Sequence, residues 1–274
     1  MKIAVINDMS GYGRCSLTVA LPIISAMKVQ ACPVPTALFS NHTGFPTFRF
    51  FDFTKHMAEY LQGFADLGLD FDAIYCGFLG SMDQIQIVEH FVASQKNALF
   101  ILDPVMGDHG KAYSTITPSH CEAMKKLAAK ADIITPNLTE ACLLTDTPFP
   151  ASIDNVTDEF ANSLSDKLHD LGAHKIVITG TLIQGLFHNY ILEETDAKIS
   201  HSVYRVPAAG QSRPGTGDVF ASVIAADAVN GVAFTDSVRK AAAFVSTCTA
   251  ASDQEQIPVE NGVCFEYFLK SLTS

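Results

Sequence analysis

Short apolar runs alternate with longer amphipathic segments along most of the chain, and this alternation restricts the folds open to it. The apolar runs predict strands because they are rich in Val, Ile and other β-formers: Lys2–Ile6, Thr36–Phe39, Ala73–Cys76, Ala98–Leu102, Asp132–Thr135 and Lys175–Thr179. The segments between them predict helices: Leu17–Met27, Thr54–Leu67, Gln84–Ser94, Pro118–Ala129 and Thr157–Leu171. Pro22 lies inside the first helix and predicts a kink or a late start there. The alternation favours an α/β fold, with a mainly parallel central sheet and helices on both faces.

The last third of the chain has a different pattern. Leu186–Leu192 and Ser202–Val206 are extended pieces that predict a meander at one edge of the sheet. Helix then returns: Asp218–Val229 ends at Asn230-Gly231, a typical C-terminal stop, and Thr235 is predicted to cap the next helix, which extends to about Thr249. Because no repeat, low-complexity tract or linker interrupts residues 1–274, we expect a single domain.

The composition excludes several classes of protein. The chain has 274 residues, 48% hydrophobic and 17% charged, so it can bury a core and is not disordered. Its net charge of −11 argues against nucleic-acid binding, which depends on Lys and Arg. No apolar run approaches the length of a membrane span, and the first run is too short for a signal peptide, so we expect a cytoplasmic protein. If an acidic protein of this kind binds a polyphosphate, a divalent cation and backbone amides are needed to neutralise the charge of that ligand.

The seven cysteines form no CxxC pair, and their number is odd. This pattern argues against a disulfide framework or a zinc site built from them. We therefore expect reduced thiols, as in most cytosolic proteins.

Polar residues follow four predicted strands at the point where each strand ends. They are Asn7 with Asp8, Asp103, Asn137, and Thr179 with Gly180. In open α/β sheets, ligands bind just beyond the carboxyl ends of the strands. We therefore expect these residues, although distant in sequence, to line one crevice.

A glycine-rich turn opens the helix that carries Asp218. Gly215, Thr216 and Gly217 precede this acid, and such glycines let backbone amides approach an anion with the helix dipole behind them. That arrangement suits the charge that develops on a transferring γ-phosphoryl group. Asp218 can accept the proton of an attacking hydroxyl, which predicts an ATP-dependent kinase for a small alcohol. The plainer interpretation is an acid in the first turn of a helix that follows a flexible loop.

Five ordered motifs carry a resemblance to a known family. Gly215-Thr216-Gly217-Asp218 resembles the signature of the ribokinase-like superfamily. Four further motifs are similar to its pyridoxal kinase branch: Ser40–Gly44, Gly77–Ser81, Asp103–Gly107 and Ile133–Glu140. The similarity extends from about Ile3 to Thr249. It implies a ribokinase-like three-layer sandwich, a homodimer, and phosphorylation by ATP of the 5′-hydroxymethyl group of pyridoxal, pyridoxine or pyridoxamine in vitamin B6 salvage.

The resemblance implies a metal site at Asp103 and Glu140. Carboxylate and amide oxygens are suitable ligands for hydrated Mg²⁺, and Thr135 and Asn137 would lie near the phosphates, with K⁺ as a further cation. The plainer interpretation makes Asp103 part of a turn and Glu140 an acid in the first turn of a helix.

The resemblance also implies contacts to the nucleotide. Thr179-Gly180 would contact the phosphates, with a hydroxyl where some relatives have a lysine. Val206 would lie near the adenine, although an ordinary edge strand is an equally simple interpretation of this segment.

The acceptor side matches two families at once. Asn7-Asp8-Met9-Ser10-Gly11 is closer to the Asp-Pro-Ser-Gly segment of hydroxymethylpyrimidine kinases, whereas Ser40–Gly44 is similar to pyridoxal kinases. Phe78 stands where pyridoxal kinases often have tyrosine, and His42 is either a ligand or a turn histidine bonded to backbone. Together with Asp218, the implied substrate-binding residues are Asn7, Asp8, Ser10, Phe39, His42, Thr43 and Phe78.

The segment Gly11-Tyr12-Gly13-Arg14-Cys15 is interpreted as a flap over the acceptor, with Gly11 and Gly13 as hinges. Cys15 would then approach an aldehyde and form a hemithioacetal. The plainer interpretation is a free cysteine at the start of a helix.

Three alternative functions stay open at this point. The acceptor could be hydroxymethylpyrimidine, or the enzyme could accept both rings. A non-catalytic vitamin carrier or sensor could use the same fold, but it would need neither a base nor a metal. A Rossmann oxidoreductase is disfavoured because no GxGxxG turn follows the first strand.

Overall fold

Backbone hydrogen bonds organise the chain into eleven strands and eight α-helices over residues 1–273, which are the residues that this computed structural model describes. The strands are β1 (Lys2–Ser10), β2 (Gln30–Phe39), β3 (Phe50–Asp52), β4 (Ala73–Cys76), β5 (Leu99–Leu102), β6 (Gly107–Asp108), β7 (Lys111–Ala112), β8 (Ile133–Ile134), β9 (Lys175–Ile183), β10 (Leu186–Thr195) and β11 (Lys198–Pro207). The helices are α1 (Leu17–Ala26), α2 (Thr54–Asp66), α3 (Met82–Ser94), α4 (Pro118–Ala128), α5 (Leu138–Leu144), α6 (Asp158–Leu171), α7 (Thr216–Asn230) and α8 (Phe234–Gln254). Short 3-10 helices form at Ile153–Asn155, Val259–Asn261 and Phe265–Leu272.

Nine of the strands form one sheet in the order β11-β10-β9-β8-β5-β4-β1-β2-β3. The strands from β9 to β2 in this order are parallel neighbours. Strands β10, β11 and β3 are antiparallel additions at the edges, and β6 pairs with β7 in a separate hairpin. The predicted mainly parallel sheet and the meander at its edge are therefore confirmed.

Side chains alternate across the parallel strands and build a core on each face of the sheet. On β1, Ala4 and Ile6 pack with helices α2 to α6, whereas Ile3 and Val5 pack with α1, α7 and α8. Both faces are apolar because crossover helices cover both of them. The result is a helix–sheet–helix sandwich of three layers.

The connections of the sheet change direction beside β1. The chain passes from β1 to β2 on one side, then crosses to β4 on the other side and continues outward to β9. A crevice forms at such a switch point, beyond the carboxyl ends of the strands. A ligand site is therefore expected where β1 and β4 end.

Strand β1 is longer than predicted, and the difference lies at this crevice. The prediction ends the strand at Ile6, but pairing with β2 resumes at Met9 after a shift in register and continues to Ser10. Asn7 and Asp8 therefore lie at an irregularity within a strand, where a change of register reorients side chains.

Strand β2 begins at Gln30 rather than at Thr36, although it contains Pro33 and Pro35. Strand β3 pairs only with the last residues of β2, beginning at Ala37. The earlier part of β2 therefore has an open edge, where the missing N–H of proline is tolerated.

Most helix ends agree with the prediction to within two residues, but several details differ. Helix α1 begins at Leu17 despite Pro22, so the late start is wrong. Thr235 does not cap α8, because the helix already begins at Phe234, and the Thr235 hydroxyl lies 3.4 Å from Glu193 Oε2 instead. Helix α8 also continues well past the predicted end. Helix α5, strand β3 and the β6–β7 hairpin were not predicted, since each is too short to give a periodic pattern.

Within residues 1–273, no helix combines the length and the apolar composition needed to cross a membrane.

Candidate active site

Asp218 lies in the first turn of α7, a helix that begins directly after a left-handed glycine. Gly215 caps the helix with a φ of 81°, and a Cβ atom here would overlap the carbonyl oxygen of Arg14. Only glycine fits both the conformation and the close approach. The Thr216 hydroxyl donates to the carbonyl oxygen of Arg213 at 3.2 Å, which turns it toward its own loop. The first amides of α7 therefore remain the donors that this turn can offer to an anion.

Two donors hold the Asp218 carboxylate in place. Asn7 Nδ2 donates to Asp218 Oδ1 at 3.1 Å, across 211 residues of sequence, and the backbone N–H of Ser16 donates to the same carboxylate. The Asn7 amide is itself oriented, because its Oδ1 accepts from the backbone N–H groups of Asp8 at 2.9 Å and Phe78 at 3.0 Å. The irregular part of β1 and the residue that follows Gly77 after β4 thus position the acid at the start of α7.

Gly77 and Ser16 control this contact, although their sequence context predicts a role for neither. A Cβ atom at Gly77 would lie 2.5 Å from Asn7 Nδ2, so glycine is required for the approach. Ser16 has a φ of 55° and a ψ of −136°, a conformation that costs a non-glycine residue about 1–3 kcal/mol. A glycine directly after β4 is visible in the sequence, whereas nothing in the sequence reveals the conformation of Ser16.

Asp8 is buried beside the same group of residues. Its Oδ1 accepts from the Ser16 hydroxyl at 2.6 Å, and its Oδ2 accepts from the Ser10 hydroxyl at 3.1 Å. Burial raises the pKa of Asp8, and these hydrogen bonds oppose the rise. The carboxylate is therefore rigidly held between β1 and the start of α1.

Asp103 lies at the carboxyl end of β5 and is buried. Thr135, which follows β8, donates to its Oδ1 at 3.3 Å. A Cβ atom at Gly217 would be 3.9 Å from its Oδ2, which places this carboxylate beside the glycine-rich turn. Two strand ends and the start of α7 therefore meet, as the strand-end pattern predicts.

Glu140 and Asn137 form the capping box of α5. Asn137 Oδ1 accepts from the Glu140 N–H at 3.0 Å, and Glu140 Oε2 accepts from the Asn137 N–H at 2.8 Å. Glu140 Oε1 also accepts from the Met106 N–H at 3.1 Å, and Asn137 Nδ2 donates to the Gly107 carbonyl oxygen at 2.8 Å. Glu140 is therefore an acid in the first turn of a helix, as the plainer interpretation has it, and the lone pairs that remain on Glu140 can still face a metal-bound water.

The acids of this crevice are largely buried and lie close to one another. Burial raises the pKa of Asp218 to about 6, with the charge of Asp8 adding to the effect. Burial and the charge of Asp218 raise the pKa of Asp103, and burial and the charge of Asp103 raise the pKa of Glu140. Within residues 1–273, no Lys or Arg forms an ion pair with any of them. Clustered oxygen ligands with unbalanced negative charge fit a hard divalent cation such as Mg²⁺.

Three of the residues predicted to contact phosphate come together. Asn137 and Thr179 form an isolated parallel bridge, and the Thr179 N–H donates to the Pro136 carbonyl oxygen at 2.9 Å. Gly180 has a φ of 74°, and a Cβ atom here would lie 3.6 Å from Asn137 Cβ. Val206 lies elsewhere, on β11 opposite Phe187, where it packs half-buried against the core beneath α8.

The residues predicted to bind the acceptor are unevenly exposed. Phe39 ends β2 half-buried, with its ring centroid 4.8 Å from that of Phe50 and 5.9 Å from that of Phe48. Thr43 is exposed in the loop after β2, and Phe78 is half-buried beside Asn7.

The His42 ring has both nitrogens bonded to backbone. Nδ1 accepts from the Gly44 N–H at 3.1 Å, so Nε2 carries the proton and donates to the Glu260 carbonyl oxygen at 2.7 Å. This geometry matches the turn-histidine interpretation rather than a ligand role.

The segment predicted to be a flap is fastened at several points. The Gly11 N–H donates to the Phe39 carbonyl oxygen at 2.9 Å. Arg14 Nε pairs with Glu266 at 2.7 Å, and its Nη1 donates to the Asn261 carbonyl oxygen at 3.2 Å. Opening at Gly13, which has a φ of 89°, would require these contacts to break.

Cys15 is buried, and its burial raises the pKa of the thiol to about 12. The thiolate is the nucleophilic form of cysteine. The proposed addition to an aldehyde is therefore disfavoured, and the plainer interpretation of a buried cysteine agrees better with the structure.

The three-layer fold, the glycine-rich turn at the start of α7 and the unpaired acids define a ribokinase-like small-molecule kinase. Comparison with known proteins agrees with this class. The chain belongs to the phosphomethylpyrimidine kinase family, whose family model matches residues 20–263, and its relatives place it on the pyridoxal kinase branch of the superfamily.

Three of these relatives define the similarity. A Bacteroides thetaiotaomicron protein, described as a phosphomethylpyrimidine kinase and solved with pyridoxal, is 36% identical with a TM-score of 0.91, covering 99% of this chain and 95% of that one. Pyridoxal kinase PdxY of Actinobacillus pleuropneumoniae is 28% identical over 92% of this chain and 87% of its own. A Schizosaccharomyces pombe protein described as a pyridoxal kinase is 30% identical over 70% of this chain, but only 57% of that relative's length is covered.

Proposed function

We propose that the chain transfers the γ-phosphoryl group of ATP to the 5′-hydroxymethyl group of pyridoxal, pyridoxine or pyridoxamine, the salvage reaction of vitamin B6. The observation that carries this proposal is the placement of Asp218. Asn7 and Ser16 hold it at the glycine-rich turn, beside Asp103. The relative that was solved with pyridoxal supports a pyridoxal-type acceptor.

Asp218 acts as the general base of this proposal. Its carboxylate takes the proton of the hydroxymethyl group while the oxygen forms a bond to the γ-phosphorus and the bond from that phosphorus to ADP breaks. A pKa of about 6 makes Asp218 a stronger base than an exposed aspartate. It remains weak relative to an alcohol, so positioning by Asn7 and Ser16 contributes much of the rate.

The glycine-rich turn stabilises the charge of the transferring group. Gly215, Thr216 and Gly217 contribute backbone amides at the N-terminus of α7, where the helix dipole favours an anion. The Thr216 side chain is not required for this role, because its hydroxyl is bonded within the loop.

Mg²⁺ would be held by Asp103 and Glu140. Asp103 can ligate directly, whereas Glu140, whose two oxygens already accept backbone N–H groups, is better placed to act through water. The ion would neutralise the phosphates of ATP, and Thr135 and Asn137 would also contact these phosphates. A K⁺ ion near these two residues belongs to the same proposal and is tested by replacing K⁺ with Na⁺ in the assay.

The nucleotide lies along the ends of β8 and β9 in this proposal. Thr179 and Gly180 contact the phosphates through a hydroxyl and a left-handed glycine that leaves the backbone accessible. Val206 contributes an apolar contact to the adenine from the more distant β11.

The acceptor lies between β1 and the end of β2. Asp8 and Ser10 contact the ring, Phe39 and Phe78 pack on it, and Thr43 donates a hydrogen bond to it. Asn7 acts mainly on Asp218, since its amide is committed to that carboxylate. His42 instead fastens the loop through its two backbone bonds.

The second candidate acceptor is hydroxymethylpyrimidine. The buried Asp8 with its bonds to Ser10 and Ser16 favours it, because this segment is closer to the pyrimidine kinases. The family model that the chain matches is described as phosphomethylpyrimidine kinase, a name that refers to the same pyrimidine ring. The kcat/KM values for pyridoxal and hydroxymethylpyrimidine, measured side by side, decide between the two.

We also propose that the protein is a homodimer and that it lies in the cytoplasm. The edge strand β3 and its surroundings expose Leu38, Phe48, Phe50 and Phe51, the last with 64% of its surface accessible, and such an apolar patch is typical of an interface. Light scattering should give about twice the chain mass of 29.5 kDa. The variant Phe51→Lys should have a lower mass by light scattering, because a charge in the patch opposes association. The variant Tyr267→Lys, at an exposed aromatic residue outside the patch, should keep the mass of the wild type.

A coupled assay of ADP release tests the proposed activity. Pyridoxal, pyridoxine, pyridoxamine and hydroxymethylpyrimidine are each supplied with Mg·ATP. We expect turnover with at least one B6 vitamer, with the highest kcat/KM in that group. Vitamer binding without ADP release would indicate a carrier instead, and a preference for the pyrimidine would replace the pyridoxal assignment.

A further inference from the structure

Three side chains converge at the edge of the molecule opposite the active site. His169 lies in the last turn of α6, His174 lies just before β9, and Glu194 lies near the end of β10. His169 Nε2 is 3.0 Å and His174 Nδ1 is 2.6 Å from the same carboxylate oxygen, Glu194 Oε2. All three atoms lie within 4.8 Å of one another.

The backbone holds these side chains in a fixed arrangement. The Glu194 N–H donates to the His174 carbonyl oxygen at 2.9 Å, and the Gly172 N–H donates to the His169 carbonyl oxygen at 2.8 Å. Gly172 has a φ of 130°, and a Cβ atom here would lie 2.6 Å from the Ala129 carbonyl oxygen, so the tight turn requires glycine. This turn brings the two histidines, five positions apart, to one carboxylate.

Two imidazoles and one carboxylate are a ligand set that Zn²⁺ accepts with water in the fourth position. The ligand atoms of a tetrahedral Zn²⁺ ion are about 3.3 Å apart, so the observed separations need only small side-chain movements. The site also adjoins the C-terminus of α6, where the helix dipole favours a cation.

We propose that His169, His174 and Glu194 bind a divalent transition-metal ion, with Zn²⁺ as the preferred ion. The ion would join α6 to the β9–β10 edge of the sheet. Because the site lies at the start of β9 and Thr179 lies toward its other end, the ion takes no part in phosphoryl transfer and acts as a structural clamp.

A second histidine–carboxylate pair, which has no third ligand in the described part of the chain, provides a control for the proposed site. His201 Nε2 lies 2.9 Å from Asp166 Oδ1, and this pair belongs to no cluster of three candidate ligands among residues 1–273. His201→Gln therefore removes a histidine–carboxylate pair without removing the proposed site. His174 has 63% of its side chain exposed, so His174→Gln should fold normally.

The test measures the binding of Zn²⁺ to the full chain, and the binding of Co²⁺ by its visible absorption. Both titrations are carried out in excess Mg²⁺, so that the acidic crevice is occupied by Mg²⁺. Wild type and His201→Gln should bind one equivalent at this site. His174→Gln should bind it at least about 100-fold more weakly, because loss even of an outer-shell partner costs 10–100-fold. At a hundredfold excess over the Kd, Zn²⁺ should raise the Tm of wild type by about 5 °C and leave the Tm of His174→Gln unchanged. Equal Zn²⁺ affinity in wild type and His174→Gln, or no binding by wild type, would overturn the proposal.

Discussion

At the scale of single residues, the contacts of Asp218 matter as much as its identity. Asn7 and Ser16 donate to its carboxylate, and burial raises its pKa to about 6. A base of this kind depends on residues that never touch the substrate. Gly77 is one of them, because only its missing side chain lets Asn7 reach its position.

Gly77→Ala should therefore impair turnover through Asn7. The added Cβ displaces the Asn7 amide, and a shift of about 1 Å near the reacting group can cost about 100-fold in rate. We expect kcat to fall about 10- to 100-fold while the KM for ATP stays nearly constant. Asn7→Ala should have the same effect, and it should also move the acidic limb of kcat/KM to higher pH, because it removes a hydrogen bond that lowers the pKa of Asp218.

Gly63→Ala is the matched control for Gly77→Ala. Gly63 lies in α2, and a Cβ atom there would contact nothing within 4 Å. Its replacement should leave kcat unchanged and stabilise the protein by about 0.5–1 kcal/mol. A normal kcat in Gly77→Ala would contradict the positioning role of Asn7.

Asp103→Asn should stabilise the ligand-free protein. It should also abolish the additional stability that bound Mg·ADP gives to the wild type. The folded-state pKa of Asp103 is raised above the ordinary value of 3.8. The folded protein therefore binds more protons than the unfolded chain, and its stability falls as the pH rises above about 4. The variant removes this loss, so its advantage in free energy of unfolding should grow from about pH 5 to about pH 8, reaching roughly 1–2 kcal/mol.

Chemical denaturation at both pH values measures this difference. Glu59→Gln, which neutralises an exposed acid on α2, should show no comparable gain. A less stable Asp103→Asn at the higher pH would contradict the electrostatic account of the crevice.

At the scale of elements, Arg213 anchors the glycine-rich turn to the end of α8 and to the segment that follows it. Its guanidinium is buried and pairs with Asp253 at 2.6 Å, near the end of α8. It also donates to the carbonyl oxygens of Pro258 and Gly262 at 3.1 and 3.3 Å. These bonds join the start of α7 to the segment that follows α8.

Arg213→Ala should destabilise the fold by about 2–4 kcal/mol, since it leaves the buried Gly262 carbonyl oxygen without this donor and removes a buried guanidinium from its ion pair. Arg239→Ala is the control, because its pair with Asp236 is more than half exposed on both sides. Exposed pairs contribute about 0–1 kcal/mol. Urea denaturation of the two variants measures the difference, and similar losses would show that Arg213 is not the anchor of this turn.

The long elements could be predicted from the sequence, but the short ones could not. Alternation of apolar runs and amphipathic segments identified the parallel sheet and most helices to within two residues. Helix α5 has seven residues, too few for a periodic pattern, and the sequence indicated only that Glu140 could be an acid in the first turn of a helix. The β1 bulge depends on pairing with β2, which no local pattern reveals.

At the scale of the whole molecule, the fold brings strand ends and one helix start into a single crevice. The strand-end rule predicted that Asn7, Asp103, Asn137 and Thr179 converge, and hydrogen bonds or bridges place each of them beside another predicted residue. The bond between Asn7 and Asp218 crosses 211 residues, so its partner could not be predicted. The edge-strand position of Val206 was predicted from its extended segment. The sequence left two roles open for His42, because its partner Glu260 is 218 residues away.

A comparison of turnover and nucleotide binding in Asp218→Ala tests the central claim most directly. Single-turnover transfer from Mg·ATP to pyridoxal should fall about 10²- to 10⁴-fold, the usual contribution of a general base. The Kd for Mg·ATP should stay within about threefold of wild type, because the turn binds phosphate through backbone amides. Transfer within about tenfold of the wild-type rate, in a protein that binds Mg·ATP normally, would contradict the assignment of Asp218 as the base.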